Sequence, residues 1–286
     1  MQINFLNFKI EEEHTNLTIR EFLLLFNVSK RTIYQQELFN LIRVNNSHAK
    51  LNYRLKEGDK LAFKLAPFDR VIEPFEGSID VVYEDEDIII VNKPVKMLIH
   101  EDGNTTDTLT NRVSYYFHQK GYDYPVLPAH RIDYETSGLV LYAKHFIALS
   151  FFSKQFEEQT IKKMYIAICD NYFTELDGVI THKIGKDRHS NKRIVLDSGR
   201  EARTEYYVID QFENKSKLEI YISGGRTHQI RVHLSHIGHP IVGDPLYGKT
   251  KHQRMLLHFK KIEFIHPRNL KNTSFEIEEQ FNFKKV

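Results

Sequence analysis

Short apolar runs separated by turn residues recur along most of this chain and limit the folds open to it. The first is a hairpin-like pair of β-branched runs, IDVVYEDEDIIIVNKP at 79–94, which turns at Glu84–Asp87 and ends at Pro94, since proline cannot continue a ladder. Further runs of strand character lie at 139–144, 163–169, 179–184, 193–196, 203–209 and 217–222. Mixed with a few helices, these short strands favour an α+β fold with a largely antiparallel sheet over a doubly wound fold.

Two helices are predicted among these strands. Thr108 can cap the first, and the second covers roughly 146–158 with Phe152 and Phe156 facing inward. We therefore expect a mixed, mainly antiparallel sheet with flanking helices and a central cleft.

The first 66 residues have the pattern of a small unit of their own. A short amphipathic helix is predicted around 19–26, and Ser29 is a plausible N-cap for a second helix. RVNN at 43–46 predicts a strand running into a turn, and LAFKL at 61–65 alternates as a strand does.

This order of two short helices and a small basic sheet resembles the S4 RNA-binding module. Thr18–Phe22 stands in place of the usual Arg-Leu-Asp opening, and Asn45-Asn46 in place of the usual Asn-Gly. The next residues, PFDRVIEPFEG at 67–77, contain two prolines and a glycine and predict a linker. We therefore divide the chain into an S4-like α/β module (1–66), a linker (67–77) and a larger domain (78–286).

Composition narrows the class of protein. Hydrophobic residues make up 41% of the 286 residues, which is ample for a packed core. The single cysteine, Cys169, excludes an internal disulfide framework and a cysteine-rich zinc module, and fits a reducing compartment. The N-terminus lacks the pattern of a secretory signal, and no apolar run approaches the length of about 18 residues that spans a bilayer. These features predict a soluble protein of the cytoplasm.

The net charge is only +2, but the charge is unevenly distributed. Between His14 and Pro67 there are nine Lys/Arg against four Asp/Glu, and between Thr181 and Arg203 seven against three. Two basic regions in a near-neutral chain suit a polyanion that is held at two places. Ordinary solvated surface accounts for the charges alone equally well.

The segment HRIDYETSG, residues 130–138, concentrates polar groups immediately before an apolar strand. A carboxylate on a turn that leads into a buried strand has a rigidly held backbone, which suits a nucleophile or a positioned base. Asp133 is therefore a candidate catalytic residue. The alternative is a turn carboxylate that caps neighbouring amides, because Asp and Ser are common in turns. A serine nucleophile at Ser137 is disfavoured, since its surroundings are not Gly-x-Ser-x-Gly.

A second polar cluster follows Gly224-Gly225 and contains Arg231. In an extended segment, Gln229, Arg231 and His233 would share one face. Four histidines lie here, at 228, 233, 236 and 239, but their spacing matches no zinc motif, so we expect hydrogen-bonded histidines and no metal.

Two further segments carry candidate residues. Tyr165 stands at the head of the strand MYIAICD, where a tyrosine is usually a packing residue. The basic run KIGKDRHSNKR, residues 183–193, predicts an exposed hairpin tip, either a solvated loop or a phosphate contact.

Together these segments resemble the RluA-type family of RNA pseudouridine synthases. HRID-YETSGLVLYAK is similar to the family signature HRLD-xxTSGLLLxAK, and VVYEDEDIIIVNKP, KMYIAI, GGRTHQIRVHLSHIGHPIVGDPLYG and MLLHFKKIEFIHP follow the family's other motifs in order. The resemblance covers about residues 78–267. The departures are Ile132 for the common leucine and His100-Glu101 where His-Pro is frequent.

The resemblance implies the following site. Asp133 is the essential carboxylate, Arg231 its ion-pair partner, and Tyr165 lies next to the target base, as a stacking group or as the base that removes a proton. Leu256 or Leu257 forms an apolar floor. The remaining residues assigned to substrate binding are His130, Arg131, Thr136, Lys192, Arg193, Arg226, His228 and Gln229. The isomerisation requires neither metal nor redox cofactor.

The implied activity is conversion of uridine to pseudouridine in structured RNA, by an enzyme expected to be a monomer. Large-subunit ribosomal RNA is the first candidate substrate and transfer RNA the second. Two other readings stay open, namely a non-catalytic RNA-binding or ribosome-assembly protein on the same fold and a metal-dependent hydrolase built on the histidines.

Overall fold

In the computed structural model, which describes residues 5–65, 72–122, 124–190 and 192–283, the N-terminal residues form a sheet of four antiparallel strands with two helices. The elements are β1 (Phe5–Lys9), a 3-10 turn (Glu12–His14), α1 (Ile19–Leu25), α2 (Lys30–Leu38), β2 (Ile42–Val44), β3 (Ser47–His48) and β4 (Lys60–Lys64). Their strand order is β1-β4-β2-β3. The two helices and the strand at 61–65 that the sequence predicts are thus confirmed.

Local side-chain hydrogen bonds determine where these helices begin. The Thr18 hydroxyl accepts from the backbone N–H of Glu21, while the Glu21 carboxylate accepts from the backbone N–H of Thr18 at 2.7 Å. The Ser29 hydroxyl accepts from the backbone N–H of Thr32 at 3.1 Å, which confirms the predicted N-cap. The turn after β2 is made by Asn45 and Asn46, both with positive φ, a conformation that asparagine tolerates better than most residues.

The N-terminal unit, residues 5–65, shares its hydrophobic core with the rest of the chain. Phe146 and Ile147, at the start of α4 (Phe146–Glu157), are buried among its apolar side chains, and the rings of Phe63 and Phe146 meet edge to face. Arg268 adds a polar contact, because its guanidinium donates to the backbone carbonyl of Asn7 at 2.8 Å and lies over the ring of Phe8. The unit is therefore fixed against the larger part of the molecule by packing as well as by hydrogen bonds.

The remaining strands build a mixed sheet of ten strands with a separate two-stranded hairpin. The further elements are β5 (Asp80–Glu84), β6 (Ile88–Lys93), α3 (Leu109–His118), β7 (Leu127–Pro128), β8 (Ser137–Ala143), β9 (Lys162–Asp170), β10 (Asp177–Ile180), β11 (Ile184–Lys186), β12 (Arg193–Val195), β13 (Arg203–Phe212), β14 (Lys215–Ser223), α5 (Gln229–His236), β15 (Leu257–Ile265) and β16 (Asn272–Glu276). The strand order is β10-β13-β14-β9-β15-β8-β6-β5, with β16 beside β15, β7 beside β8, and β11 paired with β12. This largely antiparallel architecture confirms the predicted α+β class.

Two strands at the centre of this sheet, β8 and β15, run parallel and approach each other closely. Gly138 lies at the contact with φ +119°, and a Cβ built on it would stand 2.3 Å from the carbonyl oxygen of Phe259. Only glycine fits there. This approach brings the segment before β8, which carries Asp133, beside the start of β15, which carries Leu257.

Two expectations about local structure are wrong. The predicted strand at 179–184 is divided between β10, which pairs with β13, and β11, which belongs to the separate hairpin. The segment after Gly224-Gly225 is not extended but forms the helix α5. The chain enters that helix through His228, which has the left-handed backbone conformation with a positive φ of 60°.

Part of the predicted linker packs against helix α3. The side-chain amide of Asn111 donates to the carbonyl of Glu73 at 2.8 Å, and the backbone N–H of Phe75 donates to the carbonyl of Asn111. Residues 66–71 lie outside the described part of the chain, so the domain division at 66 and 78 remains a prediction. Within the described residues, no helix has the length and apolar character needed to cross a membrane.

Candidate active site

A narrow cleft of about 80 Å³ opens where the segment before β8, the head of β9, the start of β15 and the approach to α5 meet. Nine of the thirteen residues that the sequence assigns to the site line it, namely Arg131, Asp133, Thr136, Tyr165, Arg226, His228, Gln229, Arg231 and Leu257. Sequence motifs separated by more than one hundred residues thus converge on one place.

Asp133 stands at the mouth of this cleft on a tight turn. The backbone N–H of Thr136 donates to the carbonyl of Asp133 at 3.1 Å, so the turn spans 133–136. The next two residues, Ser137 and Gly138, already belong to β8. The carboxylate is about one-fifth exposed and therefore open to a ligand on one side.

Arg231 connects Asp133 to a second carboxylate, that of Asp244. Its Nε and one terminal nitrogen each donate to Asp244 at 2.8 Å, and the other terminal nitrogen donates to Asp133 at 3.1 Å. Burial by itself lowers the pKa of Arg231, but the hydrogen bonds and charge of Asp244, followed by those of Asp133, outweigh it and raise the pKa. The guanidinium is therefore a permanent, fixed cation beside Asp133.

Asp244 was not recognised as a site residue from the sequence. Its Oδ1 also accepts from the backbone N–H groups of Leu246 and Tyr247, and the residue is almost fully buried. The available signal was a carboxylate in GDPLYG, within the motif that carries Arg231. Because the two residues are thirteen positions apart across a helix end, spacing alone does not pair them.

Tyr165 lies on the cleft wall at the head of β9 and stacks on Phe259, with ring centroids 4.5 Å apart and planes inclined by 11°. Burial, and secondly the charge of Asp133, raise the pKa of Tyr165 well above its ordinary value. Its phenol is therefore protonated at neutral pH and poorly suited to remove a proton.

The structure distinguishes the two candidate floor residues. Leu257 lines the cleft, whereas Leu256 packs on the opposite side with Ile168, Val242 and Phe283. Adjacent residues of an extended chain point to opposite faces, so only one of the pair reaches the cleft.

Helix α5 presents its predicted site residues on different faces. Gln229 and His233 both contact the hydroxyl of Thr204, at 3.2 and 2.9 Å, and so brace the helix against β13. Arg231 points instead toward Asp133. The shared face that an extended segment would give these three side chains is not formed, because a helix places residues four apart together and residues two apart on different sides.

The remaining histidine candidates have structural partners. His228 contacts the hydroxyl of Tyr247 at 3.0 Å, and its other ring nitrogen lies 4.0 Å from Asp133. His130 accepts from the backbone N–H of Leu141 at 3.1 Å, and burial, with the nearby charge of Lys163, lowers the pKa of His130 to about 3. His130 is therefore a neutral hydrogen-bond acceptor behind the cleft, unlike the exposed Arg131 next to it.

The predicted hairpin tip is present as β11 and β12, at one side of the cleft. The backbone N–H of Arg193 donates to the hydroxyl of Tyr247 at 2.8 Å, and the Lys192 ammonium lies 5.8 Å from the centre of the same ring. Tyr247 thus joins the hairpin to the segment that contains Asp244.

The chain matches the sequence profile of the RNA pseudouridylate synthases over residues 87–236, which is more than half of its length. The chain belongs to the RNA pseudouridine synthase family. Members of this family are isomerases that act on RNA, and Asp133, Tyr165 and Arg231 all lie inside the matched range.

Individual synthases support the same assignment. The chain is 36% identical over 247 residues to the uncharacterized RNA pseudouridine synthase YhcT of Bacillus subtilis, covering 84% of this chain and 82% of that one. It is 31% identical to the ribosomal large subunit pseudouridine synthase D of Neisseria meningitidis serogroup A, covering 88% and 71%.

Solved synthase structures have the same fold. The human RNA pseudouridylate synthase domain containing 1 superposes with a TM-score of 0.62 at 24% identity, covering 75% of this chain and 87% of that one. For the human domain containing 4 the TM-score is 0.59 at 20% identity, covering 70% and 88%.

A buried lysine outside the site that the sequence predicts supports the turn that carries Asp133 in this synthase. The ammonium of Lys93 donates to the backbone carbonyls of Pro94, Met97 and Tyr134, at 2.8, 2.9 and 3.2 Å. Burial lowers the pKa of Lys93 to about 7, against the opposing charges of Asp133 and Glu135. The sequence signal was a lysine at the end of an apolar strand directly before Pro94.

The histidines at 228, 233, 236 and 239 do not gather into a group of three ligands in the described part of the synthase. One group there does have suitable donor atoms, namely Asp85, Asp87 and His266. Its carboxylates are already occupied, since Asp85 accepts from His266 at 2.9 Å and Asp87 accepts from His145 and Arg268. These contacts fit a hydrogen-bonded network at the base of the N-terminal unit.

Proposed function

We propose that this protein converts specific uridines of large-subunit ribosomal RNA to pseudouridine, with Asp133 as the essential carboxylate. The observation that carries the proposal is the carboxylate itself, held at 3.1 Å from the buried Arg231 on the wall of an open cleft. The choice of ribosomal RNA is supported by the similarity to proteins named ribosomal large subunit pseudouridine synthase D, of which two from Neisseria meningitidis are 31% and 32% identical to this chain.

The chemistry needs only one carboxylate. Isomerisation breaks the N1–C1′ bond of uridine, turns the uracil and joins its C5 to C1′, after which a base takes the proton from C5 and N1 gains a proton from water. A glycosidase uses two carboxyl groups because a water molecule must also be activated. Here the uracil itself returns as the nucleophile, so Asp133 attacks or assists at the sugar and Arg231 supplies its counter-charge.

The walls of the cleft retain the detached uracil. Leu257 forms the apolar floor, and the ring of Tyr165, held by its stack on Phe259, covers one side of the base. Because the phenol of Tyr165 is held in its protonated form, we assign this residue to packing and not to proton removal. Thr136, His228 and Gln229 support this wall, through the turn at Asp133 and the entry into α5.

RNA reaches the cleft over basic surface. We assign Arg131 and Arg226, which line the cleft, and the hairpin residues Lys192 and Arg193 to contacts with the strand that carries the target uridine, whose extraction from its stack costs about a few kcal/mol. The S4-like N-terminal unit would add a second contact through its excess of Lys and Arg. We propose that the protein acts in the cytoplasm as a monomer and without a metal or cofactor.

Two experiments test this function. Chemical mapping of pseudouridine in RNA from cells with and without the gene should reveal a missing site in large-subunit ribosomal RNA, whereas a missing site in transfer RNA would replace the proposed substrate. Purified Asp133→Asn protein should release no tritium from [5-³H]uridine-labelled RNA while binding that RNA as the unaltered protein does. Undiminished tritium release by this variant would remove Asp133 from the mechanism and with it the proposed role of the cleft.

A further inference from the structure

A second cavity adjoins the Asp133 cleft and is lined by positive charge. It has a volume of about 440 Å³ and lies between the β11–β12 hairpin, the turn at 198–200 and the residues that lead into α5. Its walls carry four cationic side chains, those of Lys186, Arg193, Arg200 and Arg226. No carboxylate is among its lining residues in the described part of the chain.

The backbone holds this cavity in shape. Ile184 and Arg200 exchange two backbone hydrogen bonds of 2.9 Å, which tie the hairpin to the turn. A Cβ built on Gly199 would lie 2.6 Å from the carbonyl carbon of Ile184, so the two segments could not approach as closely with another residue there. The hydroxyl of Tyr247 holds Arg193 from the other side. The four cations therefore lie on a concave surface whose shape is fixed by backbone hydrogen bonds.

Among the residues that the structure describes, the four cations have no carboxylate partner. Lys183, which does not line the cavity, forms the nearby ion pair with Glu201 at 3.2 Å. Arg226 uses its Nε to donate to the backbone carbonyl of Glu201, a neutral acceptor. Across the residues that the structure describes, no ion pair joins any of the four cations to a carboxylate. Clustered arginines without acidic partners are suited to phosphate, which the planar guanidinium group contacts bidentately.

The position of the cavity indicates which phosphates it binds. Arg226 and Thr227 line both the cavity and the Asp133 cleft, so the two are continuous. We infer that this cavity binds the backbone phosphates of the RNA strand next to the target uridine. The inference rests on the proposed function and specifies how the strand is held while the uridine turns into the cleft. Lys192, which the sequence also assigns to phosphate, is not among the lining residues.

The test measures the salt dependence of binding to a short fluorescently labelled oligouridylate. All proteins are the full chain with Asp133→Asn, so that no reaction intervenes. One carries Arg193→Ala and Arg200→Ala, a second carries Arg193→Lys and Arg200→Lys, and a third carries Lys271→Ala. Lys271 is an exposed cation beyond the far end of β15, so it serves as the matched control.

We expect the double alanine variant to flatten the plot of log affinity against log salt by about 1.4, because each phosphate contact to a single strand contributes about 0.7 to the slope. The double lysine variant should keep the slope, and so should Lys271→Ala. A slope that is unchanged in the double alanine variant would overturn the inference. A loss in the double lysine variant as large as in the alanine variant would likewise contradict a phosphate site, since the charge is retained.

Failure of the phosphate site and failure of the proposed function give different results. If the unaltered protein releases no tritium from any RNA and the slope still falls as expected, the cavity binds phosphate and the proposed function fails. If tritium is released but the slopes of all variants agree, the function stands and the phosphate site is excluded.

Discussion

Arg231 and Asp244 form a two-bond ion pair in the interior of the protein, with both bonds at 2.8 Å. A planar guanidinium held in this way has one terminal nitrogen left, and that nitrogen reaches Asp133. The orientation of Arg231 toward Asp133 is therefore fixed by Asp244, which does not line the cleft. Asp244 is a positioning residue in this arrangement.

Substitution of Asp244 should thus lower the turnover of the enzyme and leave its binding of RNA almost unchanged. In Asp244→Asn the turn formed by Leu246 and Tyr247 retains an acceptor, but Arg231 loses the charge that orients it. We expect kcat to fall by at least an order of magnitude with little change in KM for RNA. Loss of one partner of a buried ion pair also costs about 3–5 kcal/mol, and the lower end applies because Asp133 remains.

Steady-state tritium release and urea unfolding measure these two effects. Asp244→Glu, which keeps the charge, should recover part of kcat and serves as the control for geometry. A second control is a core variant elsewhere in the protein with the same loss of stability. If that variant loses as much kcat as Asp244→Asn does, Asp244 contributes only to stability and does not position Arg231.

The hydroxyl of Tyr165 should be dispensable and its ring essential. Tyr165→Phe keeps the stack on Phe259, so we expect kcat within a few-fold of the unaltered enzyme, whereas Tyr165→Leu should lose most activity. Because the pKa of Tyr165 is raised above its usual value of about 10, the two active enzymes should share one pH–rate profile up to that pH. If the pH–rate profile of the unaltered enzyme shows an ionisation at high pH that the profile of Tyr165→Phe lacks, the phenol of Tyr165 does remove the proton.

Leu256 and Leu257 offer a matched pair of substitutions. Both side chains are buried, and each change to alanine should lower the free energy of unfolding by about 2–5 kcal/mol. Only Leu257→Ala should also reduce turnover at a temperature where both variants are folded, because only Leu257 lines the cleft. Chemical denaturation and tritium release on the same preparations decide the comparison, and equal activity of the two variants would contradict the assigned floor.

Lys93 should make the stability of the protein depend on pH. Burial lowers its pKa from 10.5 to about 7, so between those values the unfolded chain binds a proton that the folded protein does not. The free energy of unfolding should therefore rise with pH from about 7 to about 10, by at most about 1.4 kcal/mol per pH unit from this residue. Below pH 7 both states are protonated and the contribution of Lys93 no longer changes.

The measurement is a series of urea unfolding curves across that pH range for the unaltered protein and for Lys93→Met. The variant should be less stable at every pH, because three backbone carbonyls lose their donor, and its curve should rise less steeply. Parallel curves for the two proteins would show that Lys93 keeps its proton throughout.

Structural features that depend on residues close together in the sequence can be predicted from it. Features that depend on contacts between residues far apart in the sequence cannot. The caps at Ser29 and Thr108 and the paired runs at 79–94 depend on local hydrogen bonds and on apolar alternation, and the structure confirms them. The helix α5 is not predicted by its sequence pattern, because Gln229, Arg231 and His233 have the spacing of a strand face. Its helical state is stabilised by contacts with Thr204, far away in the chain.

The same distinction holds within the site. Asp133, Tyr165 and Arg231 were found because a motif marks each of them, and the structure places all three in one cleft. Asp244 and Lys93 were missed because their importance lies in what they contact. Leu256 and Leu257 could not be separated until the orientation of β15 in the sheet was known.

The N-terminal unit covers Phe146 and Ile147 and therefore keeps these apolar side chains of α4 away from solvent. A truncated protein that begins after residue 65 would expose these side chains at the start of α4 and lose the Arg268 contacts to Asn7 and Phe8. Removal of this unit would thus damage the enzyme even if the unit never touched RNA. If the unit binds RNA as proposed, its fixed junction with the rest of the molecule sets the distance between that RNA contact and the Asp133 cleft.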